Sequence, residues 1–245
     1  MTLLTLSNLT LTYQRHPAVH HLSGNVAAGQ TLAIMGPNGA GKSTLLRALA
    51  GLHPVAGGKI IWADKIQRCD IAYLPQRPNL EMQFPITVSD FVLAGFWHDC
   101  GGFGHIDHAQ MHAADNALAA VDLAGFKNRQ INTLSAGQMQ RLLFARMIVQ
   151  NAQVLLLDEP FNAVDTRTTQ LLLSLLQDFH AQGKTIIAVL HDIEQIRAHF
   201  GDTILLARRA VAWGPTAETL TQENLARARN LAEAWDEDAA MCDVA

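Results

Sequence analysis

Nine consecutive residues, Gly36-Pro37-Asn38-Gly39-Ala40-Gly41-Lys42-Ser43-Thr44, hold the densest chemistry in the chain. Their spacing is G-x-x-x-x-G-K-[ST]. The glycines let the backbone curl until several N–H groups point inward, a cation follows at Lys42, and a hydroxyl follows at Ser43. That set suits a polyphosphate carrying a divalent cation. Lys42 can reach the β- and γ-phosphates, and the Ser43 hydroxyl can ligate Mg²⁺. The pattern needs a strand before it and a helix after it. Thr31–Met35 reads as a short apolar strand, and Leu45, Ala48, Leu49 and Leu52 recur at helical spacing, with Pro54 as the stop. The helix N-terminus adds its own partial positive charge. A chance glycine-rich turn would lack these two neighbours. The stretch is read as a nucleotide site.

Four further residues could act on a bound nucleotide, because phosphoryl transfer asks mainly for positioning and charge stabilisation. Asp158, at the end of an apolar run, is suited to holding Mg²⁺ through a water. Glu159 could orient or deprotonate an attacking water. Gln76 could contact both metal and water, and His191 could sense the γ-phosphate. Singly, each has a plainer explanation: acids at strand ends often cap the next helix, and a lone histidine is often just packed or solvated.

The surrounding elements give these residues a common address. Val154–Leu157 is apolar throughout and runs into Asp158-Glu159-Pro160, as a central strand of a parallel sheet covered by helices would. Thr185–Leu190 is a second such strand, ending at His191-Asp192, and a third, Thr31–Met35, enters the glycine-rich loop; Ile71–Leu74 reads only as a short strand, stopped by Pro75 and followed by Gln76. Ligands of open α/β sheets sit at the carboxyl ends of strands, so the ends of the two buried strands and of the strand entering the glycine-rich loop are expected to surround one nucleotide.

The remaining segments are read from their periodicity. Leu4, Leu6, Leu9, Leu11 and Tyr13 alternate as half-buried antiparallel strands, and Val26–Gln30 reads as a turn. Gly57-Gly58 precedes a strand at Lys59–Trp62. Residues 77–150 are helical in character: Thr87 with Asp90 resembles a capping box, and Asp107 caps a helix with Met111, Ala114, Leu118 and Val121 inward. His98–His108 reads as a solvated loop, its spacing matching no compact metal motif. Ser135 and Gln138 form another capping box, opening a helix through Leu142, Leu143, Ala145, Ile148 and Val149; a second anion site at that N-terminus stays open. Asp165 caps a helix carrying Leu172, Leu175, Leu176 and Phe179, which ends at Gly183. Ile204–Ala207 and Ala210–Trp213 form a hairpin around Arg208-Arg209, and a helical tail from about Thr216 turns acidic at Asp236-Glu237-Asp238.

Composition narrows the function. The 245 residues, 49% hydrophobic, can bury one large domain, and a net charge of −4 gives no reason to expect nucleic acid as a partner. Cys69, Cys100 and Cys242 imply no disulfide framework. No basic, apolar leader opens the sequence, and no stretch is long enough to span a bilayer. Work at a membrane would require another chain to hold this one there.

In combination and in this order, the motifs resemble the ATP-binding cassette (ABC) family, in particular the nucleotide-binding subunit of a membrane transporter. The likeness spans about Leu3 to Pro215. It rests on the P-loop at Gly36–Thr44, the glutamine loop Tyr73-Leu74-Pro75-Gln76, the signature Leu134-Ser135-Ala136-Gly137-Gln138, the acidic strand Leu155–Pro160, the loop Phe161–Asp165 and the histidine His191. The signature is the most specific of these. The resemblance implies a P-loop ATPase core of mostly parallel sheet with flanking helices, an N-terminal antiparallel β subdomain, an inserted helical subdomain over 77–150 and a C-terminal helical, acidic tail over about 216–245. It implies ATP and Mg²⁺ as cofactors. It implies Glu159, His191, Gln76 and Lys42 as catalytic residues, and Ser43, Gln76 and Asp158 around the metal. Tyr13 would stack on adenine. Ser135 and Gly137, with Gln138 and Asp165 in the same set, would face ATP bound to the other protomer of a head-to-tail dimer. Ala136 departs from the usual glycine and adds a methyl group near the phosphate approach, which predicts a tuned rate.

Two other function classes share part of this pattern. A P-loop phosphotransferase would need an acceptor site and would not need Ser135–Gln138 or His191. A soluble cassette acting on DNA or ribosomes would carry two cassettes or long coiled-coil insertions. The segment Phe84–Gly95 and the ending Phe161–Asp165 look similar to the zinc and manganese uptake branch, with iron-chelate or cobalamin import as the alternative. This places the chain at the cytoplasmic face of the cell membrane. Its partners would be a permease and, indirectly, an extracytoplasmic solute-binding protein.

Overall fold

Strands that must be buried on both faces set the architecture. The computed structural model describes residues 1–13, 16–76, 85–101, 104–162 and 164–233. Its first half comprises β1 (Thr2–Tyr13), β2 (His16–Ala27), β3 (Thr31–Met35), α1 (Lys42–Leu49), β4 (Gly57–Trp62) and β5 (Ile71–Leu74). Four helices follow: α2 (Val88–Leu93), α3 (Trp97–Cys100), α4 (His108–Ala120) and α5 (Ala136–Gln150). The chain then alternates through β6 (Val154–Asp158), α6 (Thr166–Ala181), β7 (Thr185–Val189) and α7 (Ile193–His199). It closes with β8 (Asp202–Ala207), β9 (Arg209–Pro215), α8 (Thr216–Thr219) and α9 (Gln222–Glu233).

The large sheet has the order β5-β6-β7-β3-β8-β9 and is parallel except for β9. Each central strand feeds two cores. Leu155 and Leu157 of β6, with Ile186 and Ala188 of β7, face a cluster built from α2, α4, α5 and α6. Val154 and Leu156, with Ile187 and Val189, face the opposite way, onto Leu45, Leu46 and Leu49 of α1 and the leucines of β1. This double burial explains the uninterrupted apolar runs, because neither face tolerates a polar side chain. The smaller sheet, β2-β1-β4, is antiparallel and covers the far side of α1.

Most elements lie where the sequence puts them, and the exceptions have local causes. β2 was not expected at all. Its pattern is broken by Pro17, by His21 in a left-handed conformation and by register shifts against β1. Val26 and Ala27 end that strand rather than forming a turn. α1 stops well before Pro54: the chain turns left-handed at Gly51, and the Leu52 N–H closes on the Arg47 carbonyl at 2.8 Å. Leu52 therefore leaves the helical face and is 48% exposed. Met111, expected inward, is 38% exposed, and Ala117 takes its place beside Ala114 and Leu118. The boxes at Thr87–Asp90, Asp107–Gln110 and Ser135–Gln138 all form.

His98 lies on α3 and Asp107 caps α4, and no group of three or more His, Cys, Asp or Glu gathers among the described residues. Nor is any helix among them long and apolar enough to cross a membrane. The start of the helical segment at 77–84, part of the 98–108 stretch, Ala163, Cys242 and the acidic tail at 236–238 fall outside the described residues.

Candidate functional site

The sheet order brings the chemistry together. With β5, β6, β7 and β3 adjacent and parallel, residues at or just beyond their carboxyl ends form one row: Gln76, then Asp158 and Glu159, then His191, then Gly36. None of this proximity exists along the chain.

At the end of β3 the loop runs so close to its neighbours that side chains cannot fit. A β-carbon on Gly36 would stand 1.9 Å from the Leu206 carbonyl oxygen, and one on Gly41, at φ 90°, would stand 2.1 Å from that of Ala18. Pro37 bends the loop and its carbonyl accepts from Ala40 N–H at 3.2 Å; Asn38 and Gly39 form an exposed tip. The Arg208 N–H, from the β8–β9 turn, supports the loop through the Ala40 carbonyl at 3.1 Å. Gly41 caps α1 without a side chain and no acid occupies the first turn, so the N–H groups there stay available to an anion. Thr44 lies half-buried in that first turn.

Lys42 folds back into this loop, its Nζ donating to the carbonyls of Gly36 and Pro37 at 2.9 Å each. It is only 6% exposed. Burial lowers its pKa, while the negative charges of Glu159 and Asp158 act in the opposite sense. The ammonium thus sits where phosphate oxygens would replace those two carbonyls as partners.

Asp158 and Glu159 are neighbours in sequence with opposite environments. Asp158 is 3% exposed and accepts from Ser43 Oγ at 3.0 Å. Burial raises its pKa, against the Ser43 hydrogen bond and the charge of Lys42. The Ser43 hydroxyl and the Asp158 carboxylate are two hard oxygen donors side by side, which fits magnesium. Glu159 is twisted into the left-handed region at φ 50°, and its N–H reaches the Val189 carbonyl at 3.2 Å, one residue past the end of the β6–β7 ladder. Its carboxylate is fully engaged. Oε1 meets His191 Nε2 at 2.7 Å, and Oε2 accepts from Gln76 Nε2 at 2.6 Å and Asn162 Nδ2 at 3.1 Å. Burial pushes this carboxyl up, but the His191 and Gln76 hydrogen bonds and the charges of His191 and Lys42 outweigh it, so the pKa ends below its usual value.

The other candidates lie apart from this cluster. Among the described residues, no hydrogen bond joins Ser135, Gln138 or Asp165 to the P-loop. Ser135 and Gln138 satisfy each other at the start of α5, with Ser135 N–H to Gln138 Oε1 at 2.9 Å and Gln138 N–H to Ser135 Oγ at 3.3 Å. Asp165 caps α6 by accepting from the Thr168 N–H at 2.8 Å and hydroxyl at 2.9 Å, bonds that hold its pKa down. Gly137 abuts this cap: a β-carbon there would stand 3.8 Å from Asp165 Oδ2. Tyr13, at the open end of β1, is 57% exposed. Sequence reasoning missed Asn162 and Gln140; Gln140 Nε2 on α5 donates to the Pro160 carbonyl at 2.7 Å. An amide three residues from an acid, or on a neighbouring helix, carries no local signal.

A glycine-rich phosphate loop, a buried aspartate and a hydrogen-bonded glutamate at the carboxyl edge of a parallel sheet define a nucleotide-hydrolysing enzyme. The family model for ABC transporters matches residues 19–162, and the chain belongs to that family. It is an ATP-binding subunit and an ATPase of the ABC type. It is 40% identical to the manganese transport system ATP-binding protein MntB of Listeria monocytogenes over 90% of this chain and 93% of that protein. It is 37% identical to the zinc transport system ATP-binding protein TroB of Treponema pallidum, over 91% of this chain and 85% of that one. Among solved structures, it resembles a transporter described as metal-chelate type in an inward-facing conformation, at 32% identity and a TM-score of 0.82 over 94% of this chain and 90% of that one. It also resembles a dimeric ABC cassette bound to ADP and Pi, at 27% identity and a TM-score of 0.75 over 87% and 98% of the two chains.

Proposed function

We propose that this chain powers uptake of a divalent metal ion, manganese or zinc, through a separate membrane permease. It would work as a head-to-tail dimer at the cytoplasmic face of the membrane, with a solute-binding protein delivering the metal from outside. The likeness to manganese and zinc system subunits over nine-tenths of the chain carries the choice of metal. Within the site, the loop amides and Lys42 bind the ATP phosphates. Ser43, Asp158 and Gln76 hold Mg²⁺, which when bound offsets the charge of the phosphate oxygens. Glu159 orients and deprotonates the attacking water, and His191 turns between Glu159 and the γ-phosphate. Tyr13 stacks on adenine. Ser135 and Gly137, flanked by Gln138 and Asp165, close over the nucleotide of the second protomer; their separation from the P-loop within one chain supports that use.

The metal assignment is tested by measuring accumulation of radioactive manganese, zinc, and an iron chelate or cobalamin in cells lacking the chain. Loss of manganese or zinc uptake, restored by the native chain and not by Glu159→Gln, is the expected result. Normal accumulation of both metals, with loss of the chelate or cobalamin, would transfer the chain to that alternative.

A further inference from the structure

Glu159 opens a tight turn that closes when the Asn162 N–H donates to the Glu159 carbonyl at 3.1 Å. Glutamate does not favour the left-handed conformation it holds there, so its contacts must keep it in place. Pro160 stiffens the turn, and Gln140 of α5 grips the Pro160 carbonyl. The backbone is therefore fixed from two sides.

The carboxylate is held by three donors of different standing. His191 on Oε1 and Gln76 on Oε2 both have business with the nucleotide in the reading given above: one with the γ-phosphate, the other with the metal. His191 must let go of Glu159 to do so, and Gln76 must share its amide, Nε2 to the carboxylate and Oε1 to the metal. Asn162 has no such second duty. Its carboxamide donates to Oε2 at 3.1 Å from within the same turn, so it stays with the carboxylate wherever the turn goes. A cleft of about 190 Å³, lined by Glu159, Asn162, His191 and Gln195 among others, opens beside these groups and has room for water.

We propose that Asn162 is a positioning residue for hydrolysis: it fixes the Glu159 carboxylate through Oε2, leaving Oε1 for the attacking water once His191 turns away. This rests on Glu159 acting on that water. A carboxylate anchored at one oxygen has lost its freedom to rotate before the reaction begins, which is where a catalytic base gains rate.

The test uses the full chain with Asn162→Ala and Asn162→Asp, reading kcat, KM for ATP and the ATP-dependent dimer by size-exclusion chromatography with light scattering. Asn162→Ala is expected to lower kcat about tenfold with KM changed by less than about twofold, the loss of one hydrogen bond to a charged group. Asn162→Asp keeps the shape but replaces the donor with a negative charge, so its kcat should fall further while it still dimerises with Mg-ATP. A space-filling role demands the reverse order, with aspartate near native and alanine worst. That order, or unchanged kcat in both variants, overturns the proposal. Should the alanine variant fail to fold, the isosteric aspartate variant alone decides. Glu159→Gln separates the two levels of inference. If it abolishes hydrolysis while both Asn162 variants stay native, only the role of Asn162 falls. If it hydrolyses normally, the reading of Glu159 falls and takes this proposal with it. Adding Asn162→Ala to Glu159→Gln should cause no further loss.

Discussion

The P-loop side and the signature side of this chain each open a helix, and they treat its first N–H groups in opposite ways: α1 has no side-chain cap, whereas α5 has a full capping box. Around Lys42 the residues are tied to one another across the sheet, from the buried Lys42 and Asp158 out to the exposed Gln76, Asn162 and His191: Ser43 bonds to Asp158, and Glu159 to Gln76, Asn162 and His191. Around Ser135 they are exposed and satisfied locally, by a capping box that would form in any helix of that sequence. The first region is a cluster held by partners far apart in sequence. The second is held by its own residues, and among the described residues no hydrogen bond joins it to the P-loop. A site whose charges must be matched needs tertiary structure to assemble it, whereas a helix start needs only its own residues.

Removing the cation should break the first region outright. Lys42→Ala leaves β- and γ-phosphate charge uncompensated, and hydrolysis should fall by roughly 10²–10³-fold with weakened ATP binding, measured by phosphate release and nucleotide titration. Near-normal turnover would mean that the cation at the heart of the pocket is dispensable.

Glu159→Gln and Ser135→Arg should separate the two regions. The glutamine variant keeps Lys42, Ser43 and Asp158, so Mg-ATP should bind at near-native affinity while hydrolysis falls by on the order of 10²-fold. An uncleaved nucleotide should then trap an ATP-dependent dimer, visible by light scattering. Placing Ser135→Arg in the same chain should abolish that dimer and leave ATP binding to the monomer intact. A dimer that survives the arginine would show that the signature side does not face the second nucleotide.

The smallest effects lie in stability. Asp158 carries a raised pKa, so its ionised form opposes folding at neutral pH, and that cost is relieved as pH falls through the folded value. Asp158→Asn should therefore raise the melting temperature of the nucleotide-free chain at pH 7 by a few degrees while impairing Mg-dependent hydrolysis. Glu159 has the opposite sign. Its lowered pKa gives stability that is fully present above the unfolded carboxyl value, roughly 4.3, and lost as pH falls through the lower folded value. Glu159→Gln should flatten that acid-side decline in urea midpoints. The same pH response in both variants would erase the contrast between the two carboxylates.

Legibility in the sequence followed the range of the interactions. The P-loop could be read because its chemistry comes from the backbone of nine contiguous residues and one lysine. β6 and β7 could be read because burial on both faces forbids polar residues along their length. The caps at Thr87, Asp107, Ser135 and Asp165 each depend on a side chain and an N–H three residues away. β2 was hidden because its partner strand tolerates bulges, so the alternation that marks a strand is lost.

By itself, then, the sequence determined that a phosphate loop exists, that buried parallel strands carry acids at their ends, and that a signature helix begins at Ser135. Those are local facts, fixed by backbone freedom, apolar periodicity and short hydrogen bonds. Only the tertiary structure decided that the strand order runs β5-β6-β7-β3, and with it that Gln76, Glu159 and His191 meet although 83 and 32 residues separate Glu159 from its two partners. It also decided that burial raises the pKa of Asp158 while donors lower that of Glu159, and that Asn162 holds a carboxylate three residues away through the shape of a turn. Desolvation and long-range pairing depend on what surrounds a residue in space, which the order of residues along a chain does not state.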